Sequence, residues 1–198
     1  MQPQSREFSL DLLDVDVDLG PSVVECLLHC VFFVRAFGIV EPVEQDIAAL
    51  GLSYARVNDA TLELEVKDRS RAFQELQAAG KSSGEVVVSL FEKRVRTSGW
   101  FVSSQQEESV CWEKWTLRFR FTGLGARAQS QMELSPKDKA ALTDEVARRI
   151  LFILKFARTQ QDHIPQLTQQ SKAVMPFAYT IDLPQAQTGS LWDSLFKK

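Results

Sequence analysis

Two apolar runs in the middle of the chain alternate with period two. In Glu85–Lys93, Val86, Val88 and Leu90 point one way and Val87 and Phe91 the other, which predicts a central strand apolar on both faces. In Val110–Phe121, Trp115, Leu117, Phe119 and Phe121 alternate with Lys114, Thr116, Arg118 and Arg120, which predicts a strand with one buried and one wet face. Glu113 falls on the face expected to be buried. The polar stretch Arg94–Ser109 between them is predicted to be a loop, interrupted by Gly99-Trp100-Phe101-Val102. Loops beyond about 12–15 residues in compact domains are usually functional or disordered.

The remaining pattern fills in around this pair. Leu13, Val15, Val17 and Leu19 alternate with Asp14, Asp16 and Asp18, so Phe8–Leu19 is predicted to be one strand with an acidic outer face, broken by Gly20-Pro21. Pro21 opens a helix running to about Phe37, where Val24, Leu27, Leu28, Val31 and Val34 share a face and Cys26, Cys30 and Phe33 widen it. Such a helix, apolar nearly all round, belongs in the middle of a fold. Ile39–Val43 and Leu52–Val57 are short strand candidates. Leu62, Leu64 and Val66 alternate like a strand, but Leu62, Val66, Phe73 and Leu76 fit one helical face; a helix is predicted over Val66–Ala79, its start left open. Ser135-Pro136 with Asp138 is a helix start. The helix runs to about Arg158 with Leu142, Val146, Ile150, Ile153 and Ala157 as its stripe, widened by Leu151 and Leu154. A last strand is predicted over Phe177–Leu183, and Leu191, Trp192, Leu195 and Phe196 are spaced like a short amphipathic turn.

Composition narrows the classes. With 198 residues, 44% hydrophobic and 25% charged, the chain suits a single domain, 1–198, able to bury a full core. A net charge of -3 gives no reason to expect nucleic-acid binding. The longest apolar region, Val23–Phe37, is broken by Glu25, His29 and Arg35 and is too short and too charged to span a bilayer. The first residues show no signal region, and three cysteines without a framework pattern point to a reducing, cytosolic or nuclear compartment.

Catalytic and metal signatures are weak. Asp14, Asp16, Asp18 and Glu25 have the carboxylate spacing of an EF-hand loop, but Leu19 stands where the turn needs Gly, and Pro21 follows. Cys26, His29 and Cys30 lie within one helical turn, yet a structural zinc site needs a fourth ligand and Cys111 and His163 are isolated. No phosphate loop, nucleophile elbow or zinc-protease motif occurs. Any histidine-based catalysis would have to use His29 or His163, so the chain is expected not to be an enzyme, with no catalytic, cofactor or metal residues. Trp100 and Phe101 are the candidate site. They are either apolar anchors in a polar surround, as interaction sites are, or core plugs, and the residues alone leave both readings open. Lys93, Arg94 and Arg96 beside them either steer an acidic partner or guard a strand edge.

Six local runs stand out in order: Phe33-Val-Arg-Ala-Phe-Gly-Ile39, Ser53-Tyr-Ala-Arg-Val57, Ser98-Gly-Trp-Phe101, Cys111-Trp-Glu-Lys-Trp115, Ile153-Leu-Lys-Phe156 and Asp162-His-Ile-Pro165. Together they resemble the autophagy-related protein 101 family. The resemblance spans nearly the whole chain. It implies an α+β HORMA domain, a central mostly antiparallel sheet packed against helices, without enzymatic activity. It also implies a cytoplasmic adaptor recruited to the phagophore assembly site. Such an adaptor pairs with the HORMA domain of autophagy-related protein 13, protects that partner from degradation, and recruits downstream autophagy factors through an exposed Trp-Phe finger. Trp100 and Phe101 match the finger; some members carry a residue between the two aromatics, whereas here they are adjacent. Other HORMA proteins close a C-terminal segment over a peptide. Only about thirty residues follow Pro165, so an open form is expected, and by analogy the helix Pro136–Arg158 is the pairing face. The alternative is a peptide-capturing HORMA adaptor of another pathway.

Overall fold

A computed structural model of the chain describes residues 5–37, 40–98, 104–123, 134–167 and 174–184. The described elements are β1 (Arg6–Ser9), β2 (Leu13–Asp16), α1 (Gly20–Val34), β3 (Pro42–Ile47), β4 (Leu52–Val57), α2 (Ala60–Ala78), β5 (Ser83–Ser98), β6 (Ser104–Thr122), α3 (Pro136–Thr159) and β7 (Ala178–Asp182). The architecture is α+β. The main sheet has the order β1-β6-β5-β7, with β2 following β1 along β6. β5 pairs antiparallel with both β6 and β7, whereas β1 and β2 run parallel to β6. β3 and β4 form a separate hairpin.

α1 is the central helix. Val23, Val24, Cys26, Leu27, Leu28, Val31 and Phe32 are all buried, in one cluster with Val86, Val88, Trp115, Leu117 and Phe119 of the sheet. α1 also packs on α2, α3 and β4. It stops at Val34 rather than Phe37, because Arg35 leaves the helical path and turns inward.

The predicted single strand Phe8–Leu19 is two strands. The apolar parity changes from Phe8 and Leu10 to Leu13 and Val15, all buried, with Leu12 left 47% exposed. The register follows: Ser9 sits opposite Thr116 but Leu13 opposite Phe119, so β1 and β2 spend one residue more than β6 between those pairs. A turn at Asp16, whose Oδ1 accepts the Asp18 N–H at 3.0 Å, ends β2 before Val17 and Leu19.

The strand predicted over Ile39–Val43, whose first residue lies outside the described ones, is found at Pro42–Ile47. Pairing runs from Pro42↔Val57 to Ile47↔Leu52, and the turn closes at Gly51 in the left-handed region (φ 63°). Polar residues occupy β3 because that strand is largely exposed. α2 begins at Ala60, six residues before the predicted start: Asp59 accepts hydrogen bonds from the Thr61 and Leu62 N–H groups. Leu64 is 65% exposed while Leu62 and Val66 are buried, which settles the helical reading over the alternating one. α3 starts as expected, with the Ser135 hydroxyl accepting the Asp138 N–H. Leu151 and Leu154 do not widen its buried stripe; they are 64% and 39% exposed. β7 lies one residue inside each predicted limit. The predicted turn at Leu191–Phe196 lies outside the described residues.

Candidate protein-interaction site

The predicted loop Arg94–Ser109 is mostly paired backbone. β5 and β6 stay in register from Glu92↔Val110 to Ser98↔Ser104. Neither neighbour follows them: β7 is paired only as far as Phe91 and β1 begins opposite Glu113. The outer rungs therefore form a two-stranded ribbon that projects about 20 Å from the sheet at ~3.3 Å per residue. Residues 99–103, with Trp100 and Phe101, join its ends and lie outside the described residues.

Lys93 and Arg94, at the base of the ribbon, are not a free basic patch. Lys93 faces Glu107 at 3.7 Å, Arg94 pairs with Glu92, and Arg94 lies opposite Glu108 in the ladder. Exposed pairs of this kind contribute little stability. They keep an isolated ribbon soluble and discourage strand addition.

Where the ribbon leaves the sheet, the ladder slips. Leu90 faces Glu113 and Phe91 faces Cys111, so Trp112 is an extra residue and the strand carries a β-bulge. A bulge breaks alternation and bends the strand. Here it turns Trp112 and Glu113 inward together, 5% and 0% exposed. The Trp112 ring packs on Phe177 and His163, with centroids 5.0 and 5.7 Å apart.

Glu113 is the centre of a buried polar node. One carboxylate oxygen accepts from Arg35 Nε at 2.7 Å and Trp115 Nε1 at 2.5 Å. The other accepts from Arg35 Nη2 at 2.9 Å and lies 2.5 Å from His163 Nε2. Arg35 also donates to the Ala157 and Gln160 carbonyls at 3.1 and 3.3 Å. A carboxylate withdrawn from water needs its lone pairs filled, and a guanidinium fork fits it best. The node joins the end of α1, β6 at the bulge, the end of α3 and the turn that follows. Sequence patterning marks Glu113 as anomalous and Arg35 as a charge within an apolar run. A charge on a core face requires a partner, and that was the available signal; His163 carried none.

The other candidates are structural. His29 is 3% exposed and stacks on Tyr54, ring centroids 6.1 Å apart. Burial, with the Arg56 cation, lowers its pKa to about 4. Cys26 is buried, and its hydrogen bond with Cys30 and loss of solvent push its thiol pKa up, away from the thiolate that metals bind. Asp14 lies on a strand and takes both oxygens to Arg120 at 2.7 Å. Among the described residues, no group of three His, Cys, Asp or Glu is placed to hold a metal ion. No described helix is long and apolar enough to cross a membrane.

A mixed sheet backed by helices, with a projecting ribbon, defines an α+β domain consistent with the HORMA-like fold. The chain matches the family model for autophagy-related protein 101 over residues 13–171, and it belongs to that family. It is similar to autophagy-related protein 101 of Arabidopsis thaliana, 20% identical over 190 residues, with 89% of this chain and 86% of the relative covered. It is therefore an autophagy-related protein.

Proposed function

We propose that the chain is a non-catalytic adaptor of autophagy initiation. It pairs with the HORMA domain of autophagy-related protein 13, stabilises it, and recruits downstream factors through Trp100 and Phe101. The observation that carries this reading is the ribbon: a paired, charge-balanced stalk standing off the sheet, whose two strands are joined by the segment bearing both aromatics. Two-stranded ribbons are marginal on their own, and a long one anchored by a buried node is suited to holding a recognition element away from the body. Family membership supports the autophagy assignment. The exposed Leu151 and Leu154 on α3 support that helix as the pairing face. The adaptor acts in the cytoplasm and at the phagophore assembly site.

The test is co-expression with the HORMA domain of autophagy-related protein 13, as wild type and as the Trp100→Ala/Phe101→Ala double variant. The expected result is an intact pair in both cases and failed starvation-induced autophagy in the variant alone. Loss of pairing in the variant would make the aromatics interface or core residues. A wild type that does not pair would overturn the adaptor reading.

A further inference from the structure

We propose that the chain following α3 sets the direction of the β5–β6 ribbon, through a joint made by His163 on one side and Trp112 and Glu113 on the other. This deepens the recruitment reading, on which its biological meaning rests. Among the described residues neither strand of the ribbon has a lateral partner beyond the bulge, so the angle at which it leaves the sheet is decided at the bulge. Both inward-turned residues there are held by the C-terminal part of the chain. Trp112 packs on both His163 and Phe177, and a Glu113 carboxylate oxygen lies 2.5 Å from His163 Nε2. Across the ladder, Leu90 shares a small apolar cluster with Trp112 and Phe177, packed against Ile164, Met175 and Tyr179.

Two of the groups that hold Glu113 come from elsewhere in the chain. Arg35 holds Glu113 from α1, and Trp115 holds it from within β6. His163 is the member open to solvent, its side chain 20% exposed against 0% for Glu113 and 1% for Arg35. The joint can therefore loosen at His163 without dismantling the core. A bulge held from one side is a two-state element: docked, it fixes one twist, and released, it lets the ribbon swing. Coupling of this kind is reciprocal, so a partner that engages the C-terminal segment redirects the ribbon, and one that clamps the ribbon steadies the segment.

The test needs no binding partner. Nitroxide labels at Glu107→Cys on the ribbon and Arg71→Cys on α2, in a Cys111→Ser background, report the ribbon's direction as a distance distribution in the full chain. The expected result is a single narrow distance that shifts or broadens by several ångströms on His163→Ala, and that His163→Gln, which retains an N–H donor, largely restores. Amide exchange in α1 is measured alongside; if His163→Ala loosens α1 as well, Phe177→Ala is read in its place, because Phe177 touches Trp112 and Phe37 and makes no hydrogen bond in the node. An unchanged distance while exchange over 161–182 rises would overturn the proposal. Failure of recruitment in cells, with the distance responding as expected, would count against the adaptor reading and not against the joint.

Discussion

Arg35 and Glu113, 78 positions apart in sequence, meet as a two-pronged pair with both side chains out of water. Removing one partner strands the other charge. Arg35→Met is expected to cost about 3–5 kcal/mol, the usual cost of breaking a buried pair. Arg35→Met/Glu113→Leu is expected to recover part of that loss, since no buried charge is then left unmatched. Urea unfolding of wild type, single and double variants checks this. A double variant no more stable than the single would mean that Trp115 and His163 depend on the carboxylate as much as Arg35 does.

His29 gives the fold a pH dependence of known sign. Burial, chiefly, lowers its pKa in the folded chain to about 4 from the ordinary 6.5. Between those values the unfolded chain takes up a proton that the folded chain does not. Stability is therefore full above about pH 6.5 and is lost as pH falls towards 4, by roughly 3 kcal/mol at about 1.4 kcal/mol per unit. The carboxylates titrate in the same range, so the measurement is a difference: His29→Gln should show a flatter stability profile between pH 6.5 and 4 than wild type. Parallel profiles would contradict the assignment.

How much of this was legible in sequence depended on whether burial left a pattern. The strand cores, α1 and the start of α3 were plain because one face of each meets the core or because Ser135 and Pro136 mark the boundary. The ribbon has the sequence of a loop for a physical reason. The stretch 92–98 with 104–110 has no apolar alternation, and cross-strand pairs such as Lys93 with Glu107 are invisible without the register. The break between β1 and β2 is written as a change of parity at Asp11-Leu12, but the acidic alternation that follows masks it. Glu113 stands out as a charge on a core face and Arg35 as a charge in an apolar run, but that the two meet is not legible, because 78 positions separate them.

The start of α2 depends on one side chain. Asp59 Oδ1 accepts the Thr61 and Leu62 N–H groups at 2.9 and 3.0 Å, satisfying two donors that the helix cannot. Asp59→Ala is expected to cost about 1 kcal/mol, and Asp59→Ser much less, because serine caps as well as aspartate. Thermal unfolding distinguishes them. Equal losses would show that Asp59 matters for a contact other than the cap.

Gly84 opens β5 where the sheet passes under α2. A Cβ there would stand 2.8 Å from Phe73 Cε2 and 3.0 Å from Phe121 Cζ. Both rings are buried and packed edge-on, centroids 5.1 Å apart, so neither can swing out to solvent. Gly84→Ala should destabilise by about 1–3 kcal/mol through overpacking. Adding Phe121→Leu should return part of the loss by making room, and an additive double variant would show that the strain lies elsewhere.

Leu151 and Leu154 separate stability from pairing. They lie on α3 with 64% and 39% of their surface in water, while Ile153 between them is fully buried. Exposed positions usually tolerate charge within about 0.5 kcal/mol, so Leu151→Glu/Leu154→Glu should unfold close to wild type. If α3 is the pairing face, the same change places two carboxylates in an apolar interface and should abolish the complex with the HORMA domain of autophagy-related protein 13, read by co-purification. Ile153→Glu is the control of opposite behaviour, since it would put a charge in the core and unfold the chain. A stable Leu151→Glu/Leu154→Glu variant that still pairs would move the interface off α3, leaving the ribbon and its aromatics as a separate question.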